Sequence, residues 1–282
     1  MKPLYIINSS GEKEPFSSRK LYRALRRIAV SRKAAEEISR AVEKEVYPGM
    51  KTAEIFDLAE KMLVGEDPGL ALRFNLKKAM RDLGPTGFPF EKFVKEIFQE
   101  LGYEVAINQI IPGACLSGYE IDFVARKENI IYVGECKYRR FSGEVVHLQD
   151  ALANAARFAD ILSGDYFRDD KGCDIKSILV TNAKFTTQAV AYSQCQQIDL
   201  LGWKHPKDGG LESLIESHGL YPITIIPSLT GHLKEVLAGQ RIILARDVLK
   251  IDPVKFSNRF KVSQGQVGAL VSEARQLLQT GK

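Results

Sequence analysis

Residues 118–141 read GYEIDFVARKENIIYVGECKYRRF, and this stretch decides the fold. Val, Ile, Tyr and Phe dominate two arms on either side of Glu128-Asn129, so it reads as two strands joined by a tight turn. With Glu128-Asn129 as the loop, paired positions sum to about 257 in the numbering of a two-residue hairpin. That register sets Asp122 opposite Glu135 and Glu120 opposite Lys137. Side chains alternate along a strand, so these four charged groups are expected on one face. The other face is expected to be mostly apolar: Tyr119, Ile121, Phe123, Ala125, Tyr132, Gly134 and Cys136.

Two carboxylates facing each other across a strand pair repel. Such a pair persists when both are solvated or when a cation lies between them. Carboxylates and water are the donor set that Mg²⁺ prefers. Lys137 follows Glu135 by two, so its ammonium is expected beside the same spot. A dication, an activated water and a lysine are the parts needed to cut a phosphodiester. The alternative is an ordinary exposed hairpin with a charged face.

The arrangement resembles the PD-(D/E)XK nuclease superfamily, within it the Mrr-type restriction endonucleases and the archaeal-type Holliday junction resolvases. The match consists of Asp122 and then Glu135-Cys136-Lys137 on the following strand, with Glu91 on a helix upstream, and it covers about residues 87–201. The resemblance implies Mg²⁺ or Mn²⁺ held by Asp122 and Glu135, with the Val133 or Cys136 carbonyl as a further ligand. It implies that Lys137 orients the attacking water and offsets charge in the transition state. In related nucleases a glutamine on the helix after the hairpin approaches the site, which makes Gln149 a candidate to position water or phosphate; its alternative is an exposed amide. Glu91 either ligates metal through water or favours the helix dipole.

Composition narrows the class. At 282 residues the chain is long enough for two or three domains, and its hydrophobic fraction of 45% is ordinary for a globular protein. No apolar run reaches the ~18 residues of a membrane span, and the opening MKPLYIINSSGEKE lacks the apolar core of a signal peptide. Cysteines 115, 136, 173 and 195 show no CxxC spacing, which fits a reducing cytoplasm and no zinc site. The four histidines are scattered. Residues 1–84 hold 17 Lys+Arg against 12 Asp+Glu, residues 85–225 hold 14 against 19, and residues 226–282 hold 9 against 4. An acidic middle between basic flanks fits a metal-using core whose grip on DNA comes partly from its neighbours.

Residues 1–84 read as a strand over 4–8, a turn at Ser9-Ser10-Gly11 and four helices. The first helix follows Ser17 or Ser18 with Leu21, Leu25, Ile28 and Ala29 on its apolar face. The second is expected over 34–46, the third from Thr52, and the fourth from Pro68 to about Leu83 after the cap Asp67. This region resembles an ATP-cone domain through Gly11-Glu12, Glu14-Pro15-Phe16, Lys20-Leu21 and the segment Ala71-Leu72-Arg73-Phe74-Asn75-Leu76. The resemblance implies an adenine nucleotide, ATP or dATP, as effector. The family usually carries Lys-Arg at the end of its first strand, where this chain has Asn8-Ser9. Lys20 matches the second phosphate-contacting lysine, so Lys20 and Asn8 are the positions implicated in nucleotide binding.

A linker is expected at 84–87, then a helix over 88–102, a strand over 103–110 and a loop over 112–118 that could lie over the site. After the hairpin comes the basic patch Tyr138-Arg139-Arg140, either a phosphate contact or a solvated strand end. A long helix is expected over 145–162, a strand over 175–181, a helix over 186–196 and a strand over 198–203. Strand, helix and strand imply a crossover and a mixed sheet. Residues 211–279 read as short helices whose segment Leu237-Ala238-Gly239-Gln240-Arg241 loosely resembles a helix-hairpin-helix module; a helical capping or dimerisation element is the alternative.

The fold class expected is multidomain α/β: an ATP-cone-like domain over 1–84, a restriction-endonuclease-like mixed sheet flanked by helices over 85–210, and a helical region over 211–282. The function expected is a cytoplasmic, metal-dependent DNA endonuclease regulated by ATP or dATP. The alternative is a non-catalytic DNA- or nucleotide-binding regulator on the same scaffold. DNA and an adenine nucleotide are the expected partners, with no membrane. Cutting both strands would be easiest for a homodimer, although the sequence carries no interface signature.

Overall fold

The computed structural model describes residues 4–8, 11–84 and 89–279. It divides the chain into two compact units, Met1–Met80 with Tyr221–Lys282, and Arg81–Leu220. The expected linker at 84–87, apart from Gly84, and the Ser9-Ser10 part of the first turn lie outside the described residues.

In the first unit, β1 (Tyr5–Ile7) pairs antiparallel with β2 (Lys13–Pro15), a second strand that the sequence reading did not separate. Helices follow: α1 (Ser18–Arg27), α2 (Arg32–Glu45), α3 (Thr52–Glu66), α4 (Pro68–Phe74) and α5 (Leu76–Arg81). Leu21, Leu25, Ile28, Ile38, Ile55 and Leu63 meet Ile6 in one core. The Asp67 side chain accepts from the Leu70 N–H, the cap expected from its position before Pro68. The fourth expected helix is two helices, because the chain bends at Asn75. There the Asn75 N–H bonds back to the Leu72 carbonyl at 3.0 Å, a three-residue closure that ends the α pattern. The Asn75 carbonyl then accepts from Ala79 and helix resumes.

The second unit is built on a five-stranded mixed sheet. Its elements run α6 (Phe90–Glu100), β3 (Glu104–Ile111), β4 (Tyr119–Lys127), β5 (Ile130–Cys136), β6 (Val145–Val146), α7 (Leu148–Ser163), β7 (Asp174–Val180), β8 (Lys184–Phe185), α8 (Thr187–Cys195), β9 (Asp199–Leu201) and α9 (Leu211–His218). The sheet order is β3-β4-β5-β7-β9, antiparallel through β3, β4 and β5 and parallel from β5 to β7 to β9. Two short strands, β6 and β8, pair separately in parallel.

The hairpin register is the one read from the sequence, from Lys127↔Ile130 to Phe123↔Gly134, with Glu128 in the left-handed region at φ 52°. The faces differ from expectation. Val124, Ile131 and Val133 alternate with Phe123, Tyr132 and Gly134, and both sets are covered. Val124, Ile131 and Val133 pack with Ile161 and Phe158 of α7. Phe123 and Tyr132 meet Phe98 of α6, with ring centroids 4.9 and 6.1 Å apart. So no charged face runs the length of the hairpin. The sheet is roofed on both sides, as parallel strands require, and the charged groups gather where β4 begins and β5 ends.

The C-terminal segment has a single 3₁₀ turn (Ile223–Ile225) and then α10 (Gly231–Gly239), α11 (Ala245–Val248), α12 (Pro253–Phe260) and α13 (Gln264–Gln279). It belongs to the same unit as residues 1–80, whereas α9, expected with this region, lies in the unit of the sheet. The Arg73 guanidinium of α4 donates twice to the Leu277 carbonyl near the end of α13, at 3.1 and 2.9 Å, and lies over the Tyr221 ring. Thr224 donates to the Ala79 carbonyl at 2.7 Å.

Candidate active site

Asp122 is half-buried on β4, and its Oδ2 accepts from the Cys136 N–H at 2.6 Å. Withdrawal from water pushes its carboxyl from 3.8 up to about 6. The negative charges of Glu135 and Glu91 push the same way; the Cys136 hydrogen bond and the Lys137 ammonium oppose them.

Glu135, near the end of β5, is only 8% exposed. A carboxylate so placed needs partners. Lys137 donates to its Oε1 at 2.7 Å, and the Arg157 guanidinium of α7 donates to its Oε2. Lys137 is itself fixed beyond the strand end. Its N–H bonds to the Val180 carbonyl at 2.7 Å, and its carbonyl accepts from Thr181 Oγ1 at 2.6 Å. The parallel neighbour β7 thus continues the sheet geometry through Lys137 and holds its side chain on the Glu135 side.

The structure brings Asp122, Glu135 and Lys137 together as the sequence led one to expect. Glu91, in the first turn of α6, acts on both Asp122 and the buried Cys136 thiol through its charge. Glu120 is exposed and is not part of the group. Gln149 is exposed on the first turn of α7, away from the carboxylates' hydrogen-bond partners. The group from α7 that reaches the site is Arg157, two turns further on. The sequence held one signal for it: Arg157 is the lone basic residue of α7.

The basic patch divides. Arg139 pairs with Asp150 at 3.0 Å, and its backbone is clamped by Asn182, which accepts from the Arg139 N–H and donates to its carbonyl, both at 2.8 Å. Arg140 is exposed beside the exposed Phe141 ring. The loop over 112–118 is tied to α7 through Asp160, whose carboxylate accepts from the Cys115 N–H and the Tyr119 hydroxyl, both at 2.9 Å.

Two carboxylates and two cations therefore gather at the end of the sheet, and Glu91 acts on Asp122 through its charge. Oδ1 of Asp122 is not used by the Cys136 bond. Among the described residues, no three His, Cys, Asp or Glu side chains stand close enough to ligate one ion unaided. The donor set fits a hard dication that keeps much of its water, since Mg²⁺ is commonly bound through one or two carboxylates.

In the first unit, Lys20 pairs with Glu14 at 3.2 Å in an exposed position. The Asn8 side chain closes the hairpin turn, accepting from the Glu12 N–H at 2.9 Å. Asn8 thus has a structural task at the position where Lys-Arg is usual. Among the described residues, no helix is long and apolar enough to cross a membrane.

Residues 4–82 match the ATP-cone domain, and residues 221–278 match the domain described as AF1548-like, C-terminal. An uncharacterized protein of Archaeoglobus fulgidus is 30% identical over 182 residues, which are 64% of this chain and 98% of that protein. A crystal structure described as a protein of unknown function, AF1548, aligns with a TM-score of 0.56 at 30% identity, covering 67% of this chain and 96% of the other. An ATP-cone domain accordingly opens the chain.

Proposed function

The chain belongs to the AF1548-like family, and we propose that it is a metal-dependent DNA endonuclease of the PD-(D/E)XK type whose ATP-cone domain senses ATP or dATP. One observation carries this reading: Asp122, Glu135 and Lys137 converge at the open end of an antiparallel hairpin whose second strand continues into a parallel sheet. Asp122 and Glu135 would hold Mg²⁺ or Mn²⁺, which supplies a water of lowered pKa and charge stabilisation at phosphorus. Lys137, a point charge on Glu135, is placed to transfer its attraction to a phosphate oxygen. Arg157 pairs with the Glu135 carboxylate and orients it. Exposed Arg140 and Phe141 offer a charge and a stacking ring to a nucleic-acid backbone and its bases.

A second reading, a non-catalytic DNA- or nucleotide-binding regulator, is favoured by the pairing of both Glu135 oxygens with cations. Supercoiled plasmid incubated with Mg²⁺ or Mn²⁺ separates the two. The endonuclease reading expects nicking by the wild type and a loss of roughly a hundredfold or more in Asp122→Ala and Lys137→Ala, in line with other groups that stabilise transition-state charge. Equal cleavage by all three folded proteins would remove the site assignment. No cleavage by any would leave the regulator.

A further inference from the structure

Residues 240–272 hold six Lys+Arg against two Asp+Glu, and from Pro253 to Ser272 there is no acidic residue at all. Both acids already have a task. Asp247 pairs with Lys250 at 2.8 Å. The Asp252 carboxylate caps α12, accepting from the Val254 and Lys255 N–H groups at 3.0 Å. A basic stretch of this kind is either a solvated face or a surface for a polyanion, and the fold of the segment decides between them.

Helix α12 has eight residues and none is buried, although the helix carries two phenylalanines. Phe256 and Phe260 are half-buried, with ring centroids 4.6 Å apart, and Arg259 lies over the Phe260 ring. Lys255 and Arg259 are exposed and four residues apart, so they stand on one side of the helix. That side borders an open hollow of about 470 Å³, to which Gln240 and Lys250 also contribute. After α12 the chain turns in three residues. Lys261 adopts the left-handed conformation at φ 55°, Val262 is buried, and the Ser263 carbonyl accepts from the Val267 N–H as α13 begins. Ser257 ties the turn to α12 by donating to the Val262 carbonyl at 2.6 Å. Val267, Leu270 and Ala274 bury one side of α13, while Gln264, Gly265 and Gln266 of its first turn are exposed.

We propose that α12, the turn and the start of α13 form a helix-turn-helix surface that grips duplex DNA. The order of elements is the one that motif uses: a first helix across the phosphate backbone, a three-residue turn, and a second helix whose leading residues enter the major groove. Lys255, Arg259 and Lys261 meet phosphates. Gln264 and Gln266 bring amides, which pair with base edges. The proposal rests on the DNA reading above for its polymer, but its surface lies in the unit of the ATP-cone domain and not in that of the carboxylates.

The test is fluorescence anisotropy of the full chain in EDTA with a labelled mixed-sequence duplex about two helical turns long. Binding is expected in the non-specific range of about 10⁻⁴–10⁻⁶ M, weakening as salt rises. Lys255→Ala and Arg259→Ala should each lower the slope of log affinity against log salt by about one, the loss of one phosphate contact. Lys33→Ala removes the same charge from an exposed position on α2 and should leave the slope unchanged. Joint replacement Gln264→Ala and Gln266→Ala should keep the slope and relax the sequence preference recovered from a pool of randomised duplexes. All these residues are exposed, so the thermal midpoint should hold. An unaltered slope in Lys255→Ala and Arg259→Ala, an equal drop in Lys33→Ala, or tighter binding of the single strand than of the duplex would overturn the grip. An unchanged preference in the glutamine variant, or no preference in the wild type, would overturn the groove contact. Duplex binding with these slopes but no plasmid cleavage would remove the endonuclease reading and leave this one; cleavage without the slope changes would do the reverse.

Discussion

Glu135 and Asp122 meet the same problem, a carboxylate withdrawn from water, in opposite ways. Glu135 takes two cations, Lys137 and Arg157. Burial, and after it the like charges of Glu135 and Glu91, outweigh the one backbone N–H that Asp122 takes, so its carboxyl is pushed up to about 6. The consequence for stability has a definite sign. A raised carboxyl pKa means that the native state binds the proton more tightly than the unfolded chain. The stabilisation from that proton is complete below about 3.8 and is lost as pH rises through about 6. Above that, the ionised Asp122 is a cost to the metal-free fold. Asp122→Asn keeps an acceptor for the Cys136 N–H and removes the charge. In EDTA it should therefore exceed the wild type in stability by ~1 kcal/mol at pH 7.5, a figure discounted for the site's partial access to solvent. The gain should vanish near pH 4. Urea titrations at the two pH values check this, and a gain independent of pH would contradict it.

At the scale of the element, the hairpin shows what a sequence can disclose. Its register was legible because side chains repeat every two residues and Glu128-Asn129 leaves one short turn. That alone was enough to bring Asp122, Glu135 and Lys137 together. The covering of both faces was not legible in the hairpin, since Val124 and Val133 are spoken for by α7, far along the chain. Arg157 was missed for the same reason: its role depends on how α7 lies on β5. The break at Asn75 was missed because the apolar spacing runs on through α4 and α5 while the backbone hydrogen bonds do not. Gly134 is the sharpest case. The Phe123 ring fills the space above it, and a Cβ built there would come within 2.1 Å of that ring. Gly134→Ala should displace Phe123 from its contact with Phe98 and cost about 1–3 kcal/mol, the usual penalty of overpacking. Thermal denaturation reads the effect. An unchanged midpoint would show that the ring relaxes freely.

For the whole molecule, charge follows the two units more closely than it follows sequence order. Residues 1–80 and 221–282 together hold 25 Lys+Arg against 15 Asp+Glu, while residues 81–220 hold 15 against 20. The basic ATP-cone unit suits phosphates, and the acidic sheet unit suits a dication. If the ATP-cone domain uses Lys20 for phosphate, calorimetry of the full chain should show ATP or dATP binding that weakens roughly tenfold in Lys20→Ala, the worth of one charge-assisted contact. Binding indifferent to Lys20 would place the phosphates elsewhere. Exposed Lys20 now pairs with half-buried Glu14, an interaction weak enough to yield to a nucleotide.

The physical claim beneath the proposed chemistry is that Asp122 and Glu135 make one seat for a hard dication. Calorimetric titration of the metal-free full chain with Mn²⁺ at pH 7.5 tests it most directly. The account predicts a saturable site that is lost in both Asp122→Asn and Glu135→Gln and kept in Gln149→Ala, the exposed α7 residue outside the cluster. Mn²⁺ binding undiminished in the two carboxylate variants, or absent from the folded wild type, would contradict it.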